Sequence, residues 1–240
     1  MASHFIAERF AAAGLEVTRQ DIGRGAVNVI GVKPAGREAV LLSAHYDHLG
    51  IGPDGRVYPG ADDNASGVAV LLALVDATSR AHFDRTLIFI ATGAEEVGLL
   101  GMGRYIADPV WPLERTVLVI NFDMVGRNFF EWGSGRAHTA AIVGRETRAD
   151  LSAAAHRAAG RAGLDLVPVD ARLVELFGFQ DRTDEWWFRR RGMAAIHLST
   201  SLHRDYHKPS DTVDKLVPSQ LERVAKTTRF LLDEVAGESR

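Results

Sequence analysis

His45, Asp47 and His48 follow directly on a run of apolar residues, Glu95 and Glu96 follow a second, and Asp123 follows a third. His203, Asp205 and His207 come shortly after a fourth. Between the first and second runs lies Pro59-Gly60-Ala61-Asp62-Asp63-Asn64-Ala65-Ser66-Gly67, where two aspartates sit among small residues that allow a tight turn. Imidazoles and carboxylates are the nitrogen and oxygen ligands of divalent metal ions. The chain has no cysteine, which excludes a thiolate zinc site and a cysteine nucleophile. Carboxylates gathered in one cleft repel one another and rise in pKa unless cations hold them. Two divalent ions would balance three carboxylate ligands and a bridging hydroxide, with neutral imidazoles adding no charge. Mixed nitrogen and oxygen ligation suits zinc, with cobalt or manganese able to substitute.

Such groups need a scaffold that brings distant segments together. Segments 39–44, 86–91 and 116–122 are continuous apolar runs, the mark of strands buried on both faces, and 27–32, 140–143 and 194–198 read as further strands. Helical spacing of apolar residues predicts helices over 5–13, 66–79, 99–107, 148–161, 184–191 and 218–235, with Pro218 suited to a first turn. Strands alternating with helices predict an α/β fold of three layers, α/β/α, around a central, mostly parallel, mixed sheet. In such sheets, ligand sites collect at the carboxyl ends of strands. Four of the predicted strands end in an imidazole or carboxylate, so those groups converge on one edge. No repeat, low-complexity tract or linker divides the 240 residues, and a single catalytic domain over 1–240 is expected.

In order along the chain, His45-Tyr46-Asp47, Gly60 to Gly67, Ala94-Glu95-Glu96-Val97-Gly98-Leu99, Asn121-Phe122-Asp123-Met124 and Tyr206-His207-Lys208-Pro209-Ser210-Asp211-Thr212 resemble the M28 family of co-catalytic zinc aminopeptidases. The resemblance implies the zinc-peptidase (phosphorylase/hydrolase-like) form of the fold and two zinc ions. It implies that Asp63 bridges them, with His45 and Asp123 on one ion and Glu96 and His207 on the other, and a cis peptide at Asp63–Asn64. It also implies that Glu95 is the general base, that Asp47 orients the His45 imidazole, and that Tyr206 donates to the oxyanion. The implied substrate is a peptide with a free N-terminus.

One segment departs from the family. After Asp184 many relatives carry histidine where this chain has Glu185, which bears on substrate preference. Phe177, Phe179, Met124 and Trp186 are expected to line the specificity pocket, favouring an apolar first residue. His48 and His203 are expected to support the site, Asp211 to support the His207 loop, and His4, His82, His138 and His156 to lie at the surface. Rival readings are a mono-zinc acyltransferase like the glutaminyl cyclases, a carboxypeptidase or dipeptidase of the same fold, and a binding module without catalysis.

The net charge of −3, with 25% charged residues, does not form the basic surface that nucleic-acid binding needs, and Arg189-Arg190-Arg191 reads as a solvated face. No apolar run approaches the ~20 residues of a membrane span. The first residues lack the pattern of a signal peptide and read as a helix of the domain. The expected compartment is the cytoplasm, or the periplasm or exterior where a leader has been removed.

Overall fold

The computed structural model describes residues 1–23, 25–131, 135–143, 148–170 and 183–237. In chain order the elements are α1 (Ala2–Ala12), β1 (Glu16–Gly23), β2 (Ala26–Lys33), β3 (Ala39–His45), the short pair β4 (Gly50–Ile51) and β5 (Val57–Tyr58), and α2 (Gly67–Thr78). They continue with β6 (Thr86–Thr92), α3 (Leu100–Ala107), β7 (Thr116–Phe122), β8 (Thr139–Val143), α4 (Ala149–Ala162), β9 (Asp165–Val169), α5 (Trp186–Arg189), β10 (Ala195–Ser199) and α6 (Pro218–Leu232).

Eight strands form one sheet in the order β1-β2-β6-β3-β7-β10-β8-β9. Its centre, β6-β3-β7-β10, is parallel. β1, β2 and β6 pair antiparallel in succession, β8 runs antiparallel to β10, and β9 runs parallel to β8. Every residue of β3 and β6 is buried, because helices cover both faces of the centre. Alternation along β3 divides the core. Val40, Leu42 and Ala44 join Phe10 of α1, Leu71 of α2, Ala158 of α4 and Val224 of α6 on one face. Leu41 joins Met102 and Tyr105 of α3 and Phe188 of α5 on the other. Each such aliphatic side chain stabilises the fold by about 1.5–3 kcal/mol relative to exposure. Pro218 sits in the first turn of α6, where its missing N–H costs nothing.

Besides the short pair β4 and β5, two strands of the eight-stranded sheet escape the sequence reading. β1 is an edge strand with only Gln20 buried, and its Glu16, Arg19, Gln20 and Asp21 make no apolar run. β9 is another edge strand and contains Pro168. The helix expected over 184–191 shrinks to the single turn of α5, because Asp184 and Glu185 before it turn inward and are buried. No helix among the described residues is long and apolar enough to cross a membrane.

Candidate metal centre

The four strands whose ends carry the chemistry are the four adjacent parallel strands, so their carboxyl ends open onto one cleft. His45 is the last residue of β3, and Asp123 directly follows β7. Glu95 and Glu96 lie three and four residues beyond the end of β6, and His207 lies in the loop after β10. Asp63 comes from the turn that opens α2.

Side chains from elsewhere in the chain hold the loops that carry Glu95, Glu96 and Asp63 through their backbone groups. Asn28 Nδ2 donates to the Gly101 carbonyl and Asn28 Oδ1 accepts from Gly93 N, which pins both ends of the segment carrying Glu95 and Glu96. Asp47 pins its middle, accepting from Glu95 N at 3.1 Å and Glu96 N at 3.3 Å. The Asp211 carboxylate accepts from Asp62 N at 3.0 Å and Asp63 N at 3.1 Å, so it holds the Asp62–Asp63 turn directly. Asp62 points away from the cluster; its Oδ1 accepts from Gly126 N, and its Oδ2 lies 3.2 Å from the buried His203 Nε2. The Asp63–Asn64 peptide is cis, as the resemblance implies. Ala94, Met124 and His207, each beside or within the cluster, hold positive φ angles of 54–56° without being glycine. Such backbone costs on the order of 1–3 kcal/mol and is retained where a site demands it.

Asp63 lies between two sets of donors. Its Oδ1 is 3.3 Å from His45 Nε2, which is also 3.4 Å from Asp123 Oδ1. Its Oδ2 is 3.1 Å from His207 Nε2, which is also 3.2 Å from Glu96 Oε2. Among the described residues, His45, Glu95 and Asp123 offer donor atoms within 4.8 Å of one another, as do His48, Asp63 and Glu96. Asp63 Oδ2 is buried and accepts no hydrogen bond despite the nearby imidazole. His45 Nδ1 faces the Asp47 carbonyl at 3.2 Å, and a carbonyl only accepts, so this nitrogen carries hydrogen and Nε2 turns its lone pair towards the carboxylates. Lone pairs aimed at one point call for a cation between them. Zinc–ligand bonds of 2.0–2.1 Å in a tetrahedron separate neighbouring ligand atoms by about 3.3 Å, which matches the contacts around Asp63. The residues therefore fit a pair of divalent ions.

The bare protein meets the same crowding with protons. Burial lowers His45, but Asp123 and Asp63 raise it well above the ordinary value. Contacts with Asp63 and Glu96 raise His207 to about 10. Burial raises Asp63, yet His207 and His45 hold it far below the usual carboxylate range. Burial, with Asp123, Asp184 and Glu96 nearby, raises Glu95 to about 10 against the pull of His45.

The Asp47 carboxylate stands 3.8 Å from His45 Nδ1, so its carbonyl, at 3.2 Å, is the nearer partner. Tyr206 stacks on the His207 ring at 3.8 Å and lines the cleft with Glu95. Asp184, given no role in the sequence reading, is fully buried and accepts from Thr92 Oγ1 at 2.5 Å. Burial raises it to about 7 against that bond. Glu185 forms part of the cleft wall, with Thr183 Oγ1 donating to its Oε1 at 2.9 Å and His197 Nδ1 3.5 Å from its Oε2. Sequence offers no signal for His197, which lies inside an apolar strand. Met124, Phe129, Phe130 and Leu202 supply the apolar wall. Trp186 packs against Trp187 and Arg190 and is not among the residues lining the cleft. Phe177 and Phe179 lie outside the described residues. His4, His82 and His156 are exposed as expected, and His138 is half-buried.

Comparisons with known proteins give the family and the fold. The model of a family described as Peptidase family M28 matches residues 28–232. A Bacillus subtilis aminopeptidase, YwaD, is 36% identical over 107 residues, covering 42% of this chain and 22% of that protein. A solved zinc aminopeptidase from Bacillus subtilis, BSAP, superposes with a TM-score of 0.70 at 25% identity, over 87% of this chain and 50% of that one. A Bacteroides thetaiotaomicron glutaminyl cyclase shares the fold, with a TM-score of 0.74 at 20% identity, over 95% of this chain and 87% of that one. The chain thus spans half or less of the length of these two Bacillus subtilis aminopeptidases.

Proposed function

The chain belongs to peptidase family M28, and from that membership we propose that it is a metallo-exopeptidase that hydrolyses N-terminal residues from peptides with two zinc ions. The observation that carries this reading is the Asp63 carboxylate, whose two oxygens face two separate donor sets 3.1–3.3 Å away. His45 and Asp123 would hold one ion, Glu96 and His207 the other, and Asp63 both. Divalent ions held there would supply Lewis-acid polarisation of the scissile carbonyl and lower the pKa of water towards ~7.

The chain's own groups divide the remaining work. Glu95 faces the cleft beside both donor sets, where it takes the proton of the attacking water and gives it to the leaving amine. At about 10 in the bare protein its carboxyl keeps its proton, so positive charge beside it is needed to make it a base at neutral pH. Tyr206, packed on His207, presents its hydroxyl to the oxyanion. Asp47 holds Glu95 and Glu96 through their backbone and His45 through its carbonyl, so one short segment sets the base against both donor sets.

Metal content of the purified protein, measured beside hydrolysis of leucine and glutamine chromogenic amides, tests the reading. Two zinc ions per chain with chelator-sensitive release support it. One zinc ion with cyclisation of N-terminal glutamine, and no release, replaces it with acyl transfer. No metal and no turnover leave a binding protein.

A further inference from the structure

His48 stands outside the five ligands proposed above, although its ring nitrogen lies with donor atoms of Asp63 and Glu96 within 4.8 Å of one another. The side chain is 8% exposed and lies edge-on to the His207 ring, with centroids 5.7 Å apart. It also fills the space over Gly60, where an added Cβ would come within 2.6 Å of its Cγ. Gly60 has a φ of 62° and begins the turn that carries Asp63, so glycine there serves both the backbone and the ring.

So held, His48 Nδ1 approaches Glu96 Oε1 at 2.9 Å, while the other oxygen of Glu96 faces His207 Nε2 at 3.2 Å. The distances separate two roles. Ligands of one zinc ion stand about 3.3 Å apart, whereas an N–H···O bond to a carboxylate is about 2.7–2.9 Å. His48 Nδ1 is also 3.9 Å from Asp63 Oδ2, farther than His207 Nε2 at 3.1 Å.

We propose that His48 is a positioning residue for the second metal: its Nδ1–H holds Glu96 Oε1, so that only Oε2 faces the ion shared with His207 and Asp63. The proposal rests on the two-metal reading. A carboxylate fixed by a hydrogen bond on one oxygen binds through the other without first losing rotational freedom, and removing such a partner typically weakens a metal about 10–100-fold. His48 makes no hydrogen bond or ion pair with His45 or Asp123 among the described residues, and its approach to Asp63 is to Oδ2, the oxygen on the His207 side, so the first site keeps its affinity.

Stepwise titration of metal-free protein with zinc, and with cobalt followed by its visible absorption, reads the two sites separately. In H48F, which keeps ring volume over Gly60, the second ion should bind about 10–100-fold more weakly and the first unchanged. H48A, which cannot clash, carries the same expectation. H48N should restore the second site, because its amide nitrogen takes the place of Nδ1 as a donor but is no imidazole ligand. Unchanged second-site affinity in H48A overturns the proposal, and so does an H48N as weak as H48A, which would make His48 a ligand. A wild-type titration that ends at one ion overturns the two-metal reading as well, and is recognised because the wild type itself then lacks the second step.

Discussion

At the scale of residues, Glu95 and Glu96 are neighbours in sequence with opposite electrostatics. Burial lifts Glu95 to about 10, whereas His207 and His48 hold Glu96 below its ordinary value despite burial. A Glu-Glu pair shows that two carboxylates are present, but not which one meets the imidazoles. For Glu95→Gln we expect metal content and melting temperature to stay as in wild type and turnover to fall by about 10²–10⁴-fold. Near-normal hydrolysis by that variant would remove Glu95 from the role of base. Asp184 illustrates the opposite case, a buried carboxylate whose place beside Glu95 depends on a bond to Thr92, 92 residues away.

At the scale of elements, the loops are fixed by acceptors drawn from elsewhere in the chain. Asp211 takes the N–H groups of Asp62 and Asp63, so Asp211→Ala should lower stability by about 1–3 kcal/mol in urea unfolding by leaving buried donors unpaired. Asp211→Asn should cost less, since one oxygen in the position of Oδ2 can serve both donors. Gly101 faces Gly93 O at 2.2 Å from where a Cβ would stand, so Gly101→Ala should destabilise by about 1–3 kcal/mol through forced displacement of the Glu95 segment. The His207 loop has its own anchor in Asp205. Against burial, Lys215 and Ser210 hold this carboxyl at about 2, with Arg127 assisting. A depressed carboxylate stabilises the fold above its unfolded value of about 3.9 and loses that contribution as pH falls through the folded value. The stability difference between wild type and Asp205→Asn should therefore be full at pH 5 and shrink between pH 4 and 2. A gap independent of pH would show that the charge of Asp205 contributes nothing to the anchor.

At the scale of the whole molecule, imidazoles and carboxylates from the ends of β3, β6 and β7, the loop after β10 and the α2 turn meet in one cleft, so metal binding and folding are coupled. Chelation should lower the melting temperature and zinc should raise it, with zinc stabilising the fold by about 2.7 kcal/mol for each site at an ion concentration 100 times its dissociation constant. An unchanged melting temperature on chelation would count against a clustered site. The outer strands show how far local pattern reaches. β3, β6 and β7 are legible as apolar runs because helices bury both their faces, whereas β1, half in solvent, has the composition of a loop.

The order of strands and ligands along the chain, the absence of thiolates and the small residues around Asp62 and Asp63 are local facts, written in residue types and spacing. They were enough for the α/β architecture and for an edge where imidazoles and carboxylates gather. The assignment of Asp63 to the midpoint and Asp62 to Gly126 and His203 follows from side-chain direction at a single turn, which spacing does not encode. The inward turn of Glu185, the shortness of α5 and the His48 contact with Glu96 depend on packing between segments tens of residues apart, where long-range geometry prevails over local propensity.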